Sequence, residues 1–296
     1  DVPGDLTFAV LPLGTGNDMA RTLKCGGGYA GEKLLPILKS AAHSGTEVLD
    51  RWKVSFSATG EDGKALTPET KIMCNYWSLG YDAKVAYQFH IMRETHRALF
   101  SSRVVNKAWY ALFGAQNVIG ATDVSKILKV VVDGREVPIP SDVRAVTIIN
   151  IPSYSGGANL WGTEATSAPF TKPRTDDGML EVVGCKGPIH SLGMMMGVRR
   201  AHRLAQGRDI EVTVREAVTE GDRRMQRKGL HMQVDGEPFF VDHKGIHGES
   251  DYKPAAIPAG GSIGLTVKIS HHAKAALVRN DAVKAGCCGP TMIPGE

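Results

Sequence analysis

Residues 11–21 read Leu-Pro-Leu-Gly-Thr-Gly-Asn-Asp-Met-Ala-Arg. The run before them, Leu6–Leu11, has the apolar continuity of a short buried strand. Asn17 and Asp18 are good helix N-caps, and Met19–Leu23 starts a helix. A strand, a glycine loop at Gly14-Thr15-Gly16 and a helix N-terminus thus form one unit. Glycines let the backbone approach a ligand closely, and a helix start offers unpaired N–H groups and the positive end of its dipole. Such a unit serves equally as a phosphate cradle or as a plain strand-to-helix turn with glycines for geometry. A dinucleotide fingerprint would need a third glycine where Met19 stands, and a P-loop would need Gly-Lys-Ser/Thr, which is absent.

Outward from this unit, Cys25–Gly31 reads as a loop and Glu32–Ala42 as a helix. After about Asp50 the pattern changes. Arg51–Ala58 and Lys71–Ser78 alternate like strands. Val85, Phe89 and Met92 recur at helical spacing, as do Val104, Ala108 and Leu112. Ile127–Val132 and Glu136–Ile139 flank Asp133-Gly134, a hairpin signal. Val143–Ile151, Met179–Val183, Ile210–Val214, His231–Val234 and Ser262–Ile269 continue the strands, interrupted by one helix at about Ile189–Ala205. Many short strands with turn chemistry between them imply a sandwich or barrel.

The 296 residues are 42% apolar and 22% charged, which excludes disorder and collagen-like structure. A net charge of +4 does not mark a dedicated nucleic-acid binder. No apolar run reaches the roughly 18–20 residues that span a bilayer, and no signal peptide is expected. The start at Asp1, without Met, leads us to expect a truncation inside a domain. Cys25, Cys74, Cys185, Cys287 and Cys288 show no zinc spacing, so free thiols in a reducing, cytoplasmic setting are expected.

The run PLGTGNDMAR resembles the nucleotide-site motif of eukaryotic-type diacylglycerol kinases. The resemblance continues in family order through Asn75–Lys84 (NYWSLGYDAK), Val104–Tyr110 (VVNKAWY), Asn150–Gly162 (NIPSYSGGANLWG), Asp176–Gly184 (DDGMLEVVG), Leu204–Gly207 (LAQG) and Gln233–Pro238 (QVDGEP). Sphingosine and ceramide kinases share the GTGN-type loop and the Asp-Gly-Glu but resemble the NIPSYSGGANLWG block much less. The family's GGDGT loop is not in the sequence: none of the glycine pairs at 26–27, 156–157 or 260–261 is followed by Asp. The family's zinc-binding lipid-recognition modules are also missing.

The resemblance implies an α/β plus β-rich fold. Residues 1–50 would be the last part of a nucleotide-binding α/β domain and residues 51–270 a β-sandwich-like accessory domain. Residues 271–296 would be a tail, loose or packed on the first part. It implies phosphorylation of diacylglycerol at a membrane surface, with ATP and Mg²⁺, by a protein recruited peripherally from the cytoplasm. The alternatives are a sphingoid or ceramide kinase, or a non-catalytic fragment unable to hold ATP. Gly14, Thr15, Gly16 and Asn17 are the expected nucleotide contacts. Asp18 would hold a Mg²⁺-bound water, anchor the loop or cap the helix. Glu237, after the Asp235-Gly236 turn, is the expected general base, against the plainer reading of an exposed hairpin acid. Asp176 and Asp177 form either a Mg²⁺ site, since hard cations favour carboxylates, or an ordinary loop.

Three further features lie outside the resemblance. On the helix near 189–205, Met194, Met195 and Met196 adjoin Arg199, Arg200, His202 and Arg203. A buried methionine face with a solvated basic face is the expected arrangement, and a lipid-facing surface is the alternative. Thr219–Lys228 reads as a solvated basic loop, and His243, His247, His271 and His272 as surface histidines.

Overall fold

The structure is a computed structural model. It describes residues 6–59, 65, 67–96, 99–100, 105–106, 108–109, 112–113, 123–162, 169–214, 230–242, 245–247 and 264–280. Two seven-stranded sheets dominate it. The first holds β1 (Thr7–Phe8), β2 (Gly45–Thr59), β3 (Glu69–Met73), β5 (Leu128–Val132), β6 (Arg135–Val137), β10 (Ile210–Val214) and β14 (Gly264–Arg279). Its order is β3-β2-β14-β10-β5-β6, antiparallel throughout, with β1 added parallel to β14. The second runs β13-β12-β11-β4-β7-β8-β9. It comprises β4 (Tyr76–Gly80), β7 (Ala145–Ile149), β8 (Leu180–Cys185), β9 (His202–Gly207), β11 (Leu230–Val234), β12 (Glu237–Asp242) and β13 (Gly245–His247).

The sheets close on each other as a sandwich because each strand presents alternate side chains inward. Trp52, Val54, Phe56 and Ala58 of β2 meet Trp77, Leu79, Ile148, Met232 and Phe239 of the second sheet in one buried cluster. Phe56 and Phe239 join the sheets edge to face at 5.2 Å. Strands β7 and β8 are buried on both faces, since α3 (Tyr81–Thr95), which follows α2 (Leu34–Ala42) in the chain, and the segment after β7 cover the outer side. Gly80 makes the β4–α3 corner possible. Its φ is +135°, and a Cβ there would lie 2.5 Å from the Arg144 carbonyl oxygen.

The mixed α/β, strand-rich class expected from the sequence is the one observed. Several elements differ. Lys71–Ser78 is not one strand: it breaks at Cys74-Asn75 into β3 and β4, one in each sheet. The helix expected to Ala205 ends at Met195, and β9 follows. Leu204, Ala205 and Gln206 are good helix formers, but pairing with β8 overrides that preference. Residues 50 and 270, where boundaries were expected, lie inside β2 and β14. These strands pair from Gly264↔Thr59 to Arg279↔Gly45, with a bulge between His271 and Ala273. Residues 271–279 are therefore strand rather than loose tail. Past the bulge they carry β1, and Leu277 packs with Leu49, Leu23 and Ile151 under α1 (Asp18–Thr22). The Thr219–Lys228 stretch, His243, Cys287 and Cys288 lie outside the described residues.

Candidate active site

The glycine loop is held by two side chains that the sequence reading did not weigh as clamps. Asn17 sits at the start of α1 in the left-handed region, with φ 54°, and does not cap the helix. Its amide donates instead to the carbonyls of Pro12, Gly14 and Gly27 at 3.3, 2.8 and 3.0 Å. Arg21 donates to the carbonyls of Gly16 and Gly27 at 2.9 and 3.3 Å. The Asn17 amide is thus consumed by the loop's own backbone. Among the described residues, none accepts from the N–H groups of Gly14, Thr15 or Gly16. These donors are what an anionic ligand would meet. Asn106, from the VVNKAWY block, reaches Thr15 Oγ1 at 3.4 Å.

Asp18 is buried and lies at the centre of the site. Its carboxylate accepts from Ser153 Oγ at 2.6 Å, Tyr76 Oη at 3.1 Å, Gly156 N at 3.0 Å and Gly157 N at 3.1 Å. It anchors the glycine-rich segment after β7 to the loop before α1. A Cβ on Gly16 would meet Asp18 Oδ2 at 3.0 Å and Gly156 N at 3.6 Å, so the two segments touch through a position without a side chain.

Tyr76 carries this anchor to Glu237. The Asp235-Gly236 turn between β11 and β12 has φ values of 53° and 89°, the two-residue hairpin that Asp-Gly favours. It is more than a turn. Asp235 accepts from the backbone N–H groups of Cys74, Asn75 and Tyr76 at 2.8, 2.7 and 3.0 Å, and its own N–H donates to the Tyr76 carbonyl. Desolvation lifts the Asp235 carboxyl to about 6, against the pull of those three N–H donors. A Cβ on Gly236 would lie 3.9 Å from Tyr76 Oη, the same hydroxyl that bonds Asp18. Glu237 follows, exposed, on the rim of this cluster.

A second layer stiffens the cluster. The Tyr76 and Tyr154 rings meet at 4.7 Å, tilted by 56°, and Tyr154 donates a hydrogen bond to Asp82. Gln233 donates to Tyr154 Oη and Ser78 Oγ at 3.0 and 2.9 Å. Burial raises the Asp82 and Tyr154 pKa values. Behind it, Asn150 accepts from the Trp52 indole at 2.8 Å and donates to the carbonyls of Asp50 and Cys74. The signal for Tyr76, Ser153, Asp82, Asn150 and Asp235 was their place inside the quoted blocks. Spacing alone identified none of them.

Asp176 and Asp177 lie at a different junction. Asp176 pairs with Arg174 through both oxygens at 2.9 Å, and Asp177 accepts from Met179 N. The turn is fastened by the buried Asp50, which accepts from Gly178 N at 2.6 Å and from His271 Nε2 at 2.9 Å. His271 also sits edge-on to Trp52 and is not a free surface histidine. Neither this junction nor Asp18 fits directly coordinated Mg²⁺. The Asp18 oxygens are filled by protein donors and Asp176 is held by a guanidinium. Among the described residues no three His, Cys, Asp or Glu side chains are grouped to hold a metal.

Comparison with known proteins follows the same residues. The family model for the diacylglycerol kinase accessory domain matches residues 72–238, which include Tyr76, Ser153, Asp235 and Glu237. Diacylglycerol kinase theta of Homo sapiens is 37% identical over 239 residues, covering 79% of this chain and 24% of the human protein. Diacylglycerol kinase 1 of Arabidopsis thaliana is 34% identical over 281 residues, covering 93% of this chain and 34% of the plant protein. The chain therefore spans about a quarter of the human protein's length and about a third of the plant protein's. A Bacillus anthracis structure provisionally named as a diacylglycerol kinase aligns at a TM-score of 0.47 with 15% identity, over 94% of this chain and 71% of that one. The family match covers more than half of the 296 residues, and the chain belongs to the diacylglycerol kinase accessory-domain family.

Proposed function

We propose that this chain is part of an ATP-dependent diacylglycerol kinase, which transfers the γ-phosphoryl group of ATP to the free hydroxyl of 1,2-diacylglycerol and yields phosphatidic acid. The observation that carries the reading is the Tyr76 bridge. One side chain bonds Asp18 beneath the glycine loop, while its backbone holds the turn that presents Glu237.

In this reading the N–H groups of Gly14, Thr15 and Gly16 take phosphate oxygens, and Asn17 shapes the loop. Asp18 anchors it. Glu237 removes the proton from the lipid hydroxyl as the hydroxyl oxygen attacks the γ-phosphorus, and the bond from that phosphorus to the β–γ bridging oxygen breaks to release ADP. ATP with Mg²⁺ is the donor, and neither Asp18 nor Asp176–Asp177 is given a direct metal contact. Residues 6–50 with 271–280 act as the nucleotide-side layer and the remaining strands as the accessory sandwich. No helix among the described residues is long and apolar enough to cross a membrane. A cytoplasmic protein recruited to the bilayer surface is part of the proposal.

The test is the complete enzyme carrying Glu237→Gln. The turnover number is expected to fall about 100-fold or more, the usual contribution of a general base, with little change in ATP affinity. Retention of most of the rate removes Glu237 from the role. A lipid panel of diacylglycerol, sphingoid base and ceramide tests the substrate, and a nucleotide-binding titration of residues 1–296 tests whether this portion holds ATP by itself.

A further inference from the structure

Helix α4 (Pro188–Met195) turns its apolar side outward. Of its side chains only Met194 is buried. Ile189, Leu192 and Met195 are 66%, 55% and 50% exposed, and Met196 at its C-cap is 68% exposed. Their spacing of three and four residues sets them on one stripe. The helix then closes in a Schellman cap: Gly197, at φ 73°, donates to the Met194 carbonyl, and Val198 donates to the Gly193 carbonyl. In such caps the residue in Val198's place commonly packs on the one in Gly193's place. Gly193 has no side chain, and its space is filled by the Arg199 stem, which a Cβ would meet at 2.8 Å. Val198 is left 72% exposed beside the stripe.

Cations frame this surface. Lys186, Arg199 and Arg200 are exposed. Lys186 pairs with Asp142 at 2.6 Å, whereas among the described residues Arg199 and Arg200 have no carboxylate partner. His190, on the same helix, is held below its ordinary pKa by burial and then by the charges of Arg199, Lys186 and His202.

We propose that α4 and the Gly197–Arg200 turn form an interfacial patch that seats on an anionic phospholipid surface, with Ile189, Leu192, Met195, Met196 and Val198 entering the headgroup–acyl boundary and Arg199 and Arg200 meeting lipid phosphates. Charge complementarity selects this occupant. Unpaired guanidiniums beside protruding aliphatic side chains match a layer of phosphates over hydrocarbon. The choice of a bilayer over a protein partner also rests on the reading that the substrate is membrane-borne. A stripe of two turns gives weak, reversible attachment.

The experiment is co-sedimentation of the 296-residue chain with vesicles of phosphatidylcholine alone or mixed with phosphatidylserine, all free of diacylglycerol. The chain is expected to partition onto the mixed vesicles and to be released by salt. Leu192→Asp with Met196→Asp should lower partitioning at least about tenfold. Arg199→Glu with Arg200→Glu should lower it by about fivefold for each cation lost. All four side chains are exposed, so thermal melts should match wild type and report any misfolding. Equal partitioning onto both vesicle types, or variants that bind like wild type, overturns the proposal. So does a result in which the variants abolish self-association in sedimentation velocity without changing vesicle binding. Because the vesicles hold no substrate, the two readings fail separately. Binding without kinase activity in the complete enzyme sinks the function and leaves the patch. Activity on soluble short-chain diacylglycerol without vesicle binding sinks the patch alone.

Discussion

Replacing Asp18 with Asn separates an anchor from a metal ligand. The carboxylate accepts from Ser153 Oγ, Tyr76 Oη, Gly156 N and Gly157 N. Hydrogen bonds to a charged acceptor contribute about 1.5–3 kcal/mol each, against roughly 0.5–1.5 for neutral ones. An Asn side chain keeps one acceptor oxygen and places an NH₂ where the other oxygen stood. Tyr76 can rotate its hydroxyl to accept from that NH₂, but Ser153 and the two backbone N–H groups share what remains. Losing about 1 kcal/mol at each of those three gives a destabilisation of about 3 kcal/mol. Asp18→Ala, which orphans all the donors, should cost about 4 kcal/mol.

Urea unfolding followed by tryptophan fluorescence measures this directly, since Trp52, Trp77 and Trp161 are all buried. The midpoint should fall with the slope unchanged. A cycle with Ser153→Ala should show coupling of about 1 kcal/mol or more, because the two groups share a 2.6 Å bond. An Asp18→Asn protein within about 0.5 kcal/mol of wild type refutes the anchor. Stabilisation of wild type by Mg²⁺ that vanishes in the variant refutes it more pointedly, by making the carboxylate a ligand.

Other outcomes follow from the same network. Asn150→Ala leaves the Trp52 indole and the carbonyls of Asp50 and Cys74 without their partner, and should cost about 3 kcal/mol or more in urea unfolding. Glu181, buried in β8, is pushed from 4.5 to about 8 by desolvation, so the folded state holds its proton more tightly than the unfolded chain. Its contribution is fully present below 4.5 and lost as pH rises through about 8. Glu181→Gln keeps an acceptor for Gln206, so it should match wild type near pH 4 and exceed it by roughly 3–5 kcal/mol near pH 9, in melts across that range. Tyr76→Phe cuts the bond to Asp18 while the backbone still holds the Asp235 turn. In the complete enzyme it should lower turnover and weaken ATP together, and a change in neither would show that the bridge is not part of the site.

What could be read from the residues was local. Asp133-Gly134 and Asp235-Gly236 were legible as hairpins because Asp-Gly is the pair that tolerates two positive φ values, and both turns have them. Ile210–Val214 was legible because alternation with inward Ile210, Val212 and Val214 has one interpretation. The end of α4 was not: Gly197 acts as a stop only when its N–H finds Met194, and nothing upstream announces that. The methionine stripe shows a different limit. Periodicity assigns residues to a face, but whether that face is covered depends on which elements happen to lie over it, and here Met195 and Met196 are bare. His271 is the surface residue the sequence implies, but its bond to Asp50 was not legible, because Asp50 is far away in sequence and joins it only through the β2–β14 pairing.

That pairing also explains why the glycine loop and the Asp-Gly-Glu turn lie together around Tyr76. The loop is mounted through α1 and Leu23 on Leu49 and Leu277, the ends of β2 and β14 that extend beyond the sandwich. The turn is mounted on Tyr76, the first residue of β4, inside the sandwich. Asn150 crosses between them, bonding Trp52 and Asp50 on β2 and Cys74 just before β4. A boundary at residue 50 would have let the two halves move apart on a linker. A continuous strand does not, because hinging at Asp50 would break its N–H bond to Thr175 and strip a buried carboxylate of His271 and Gly178. The separation between the glycine loop and Glu237 is thus set by packed strand and saturated hydrogen bonds. The exposed rim, where Glu237 and the Gly14–Gly16 donors lie, is the part of this cluster left free to meet a ligand.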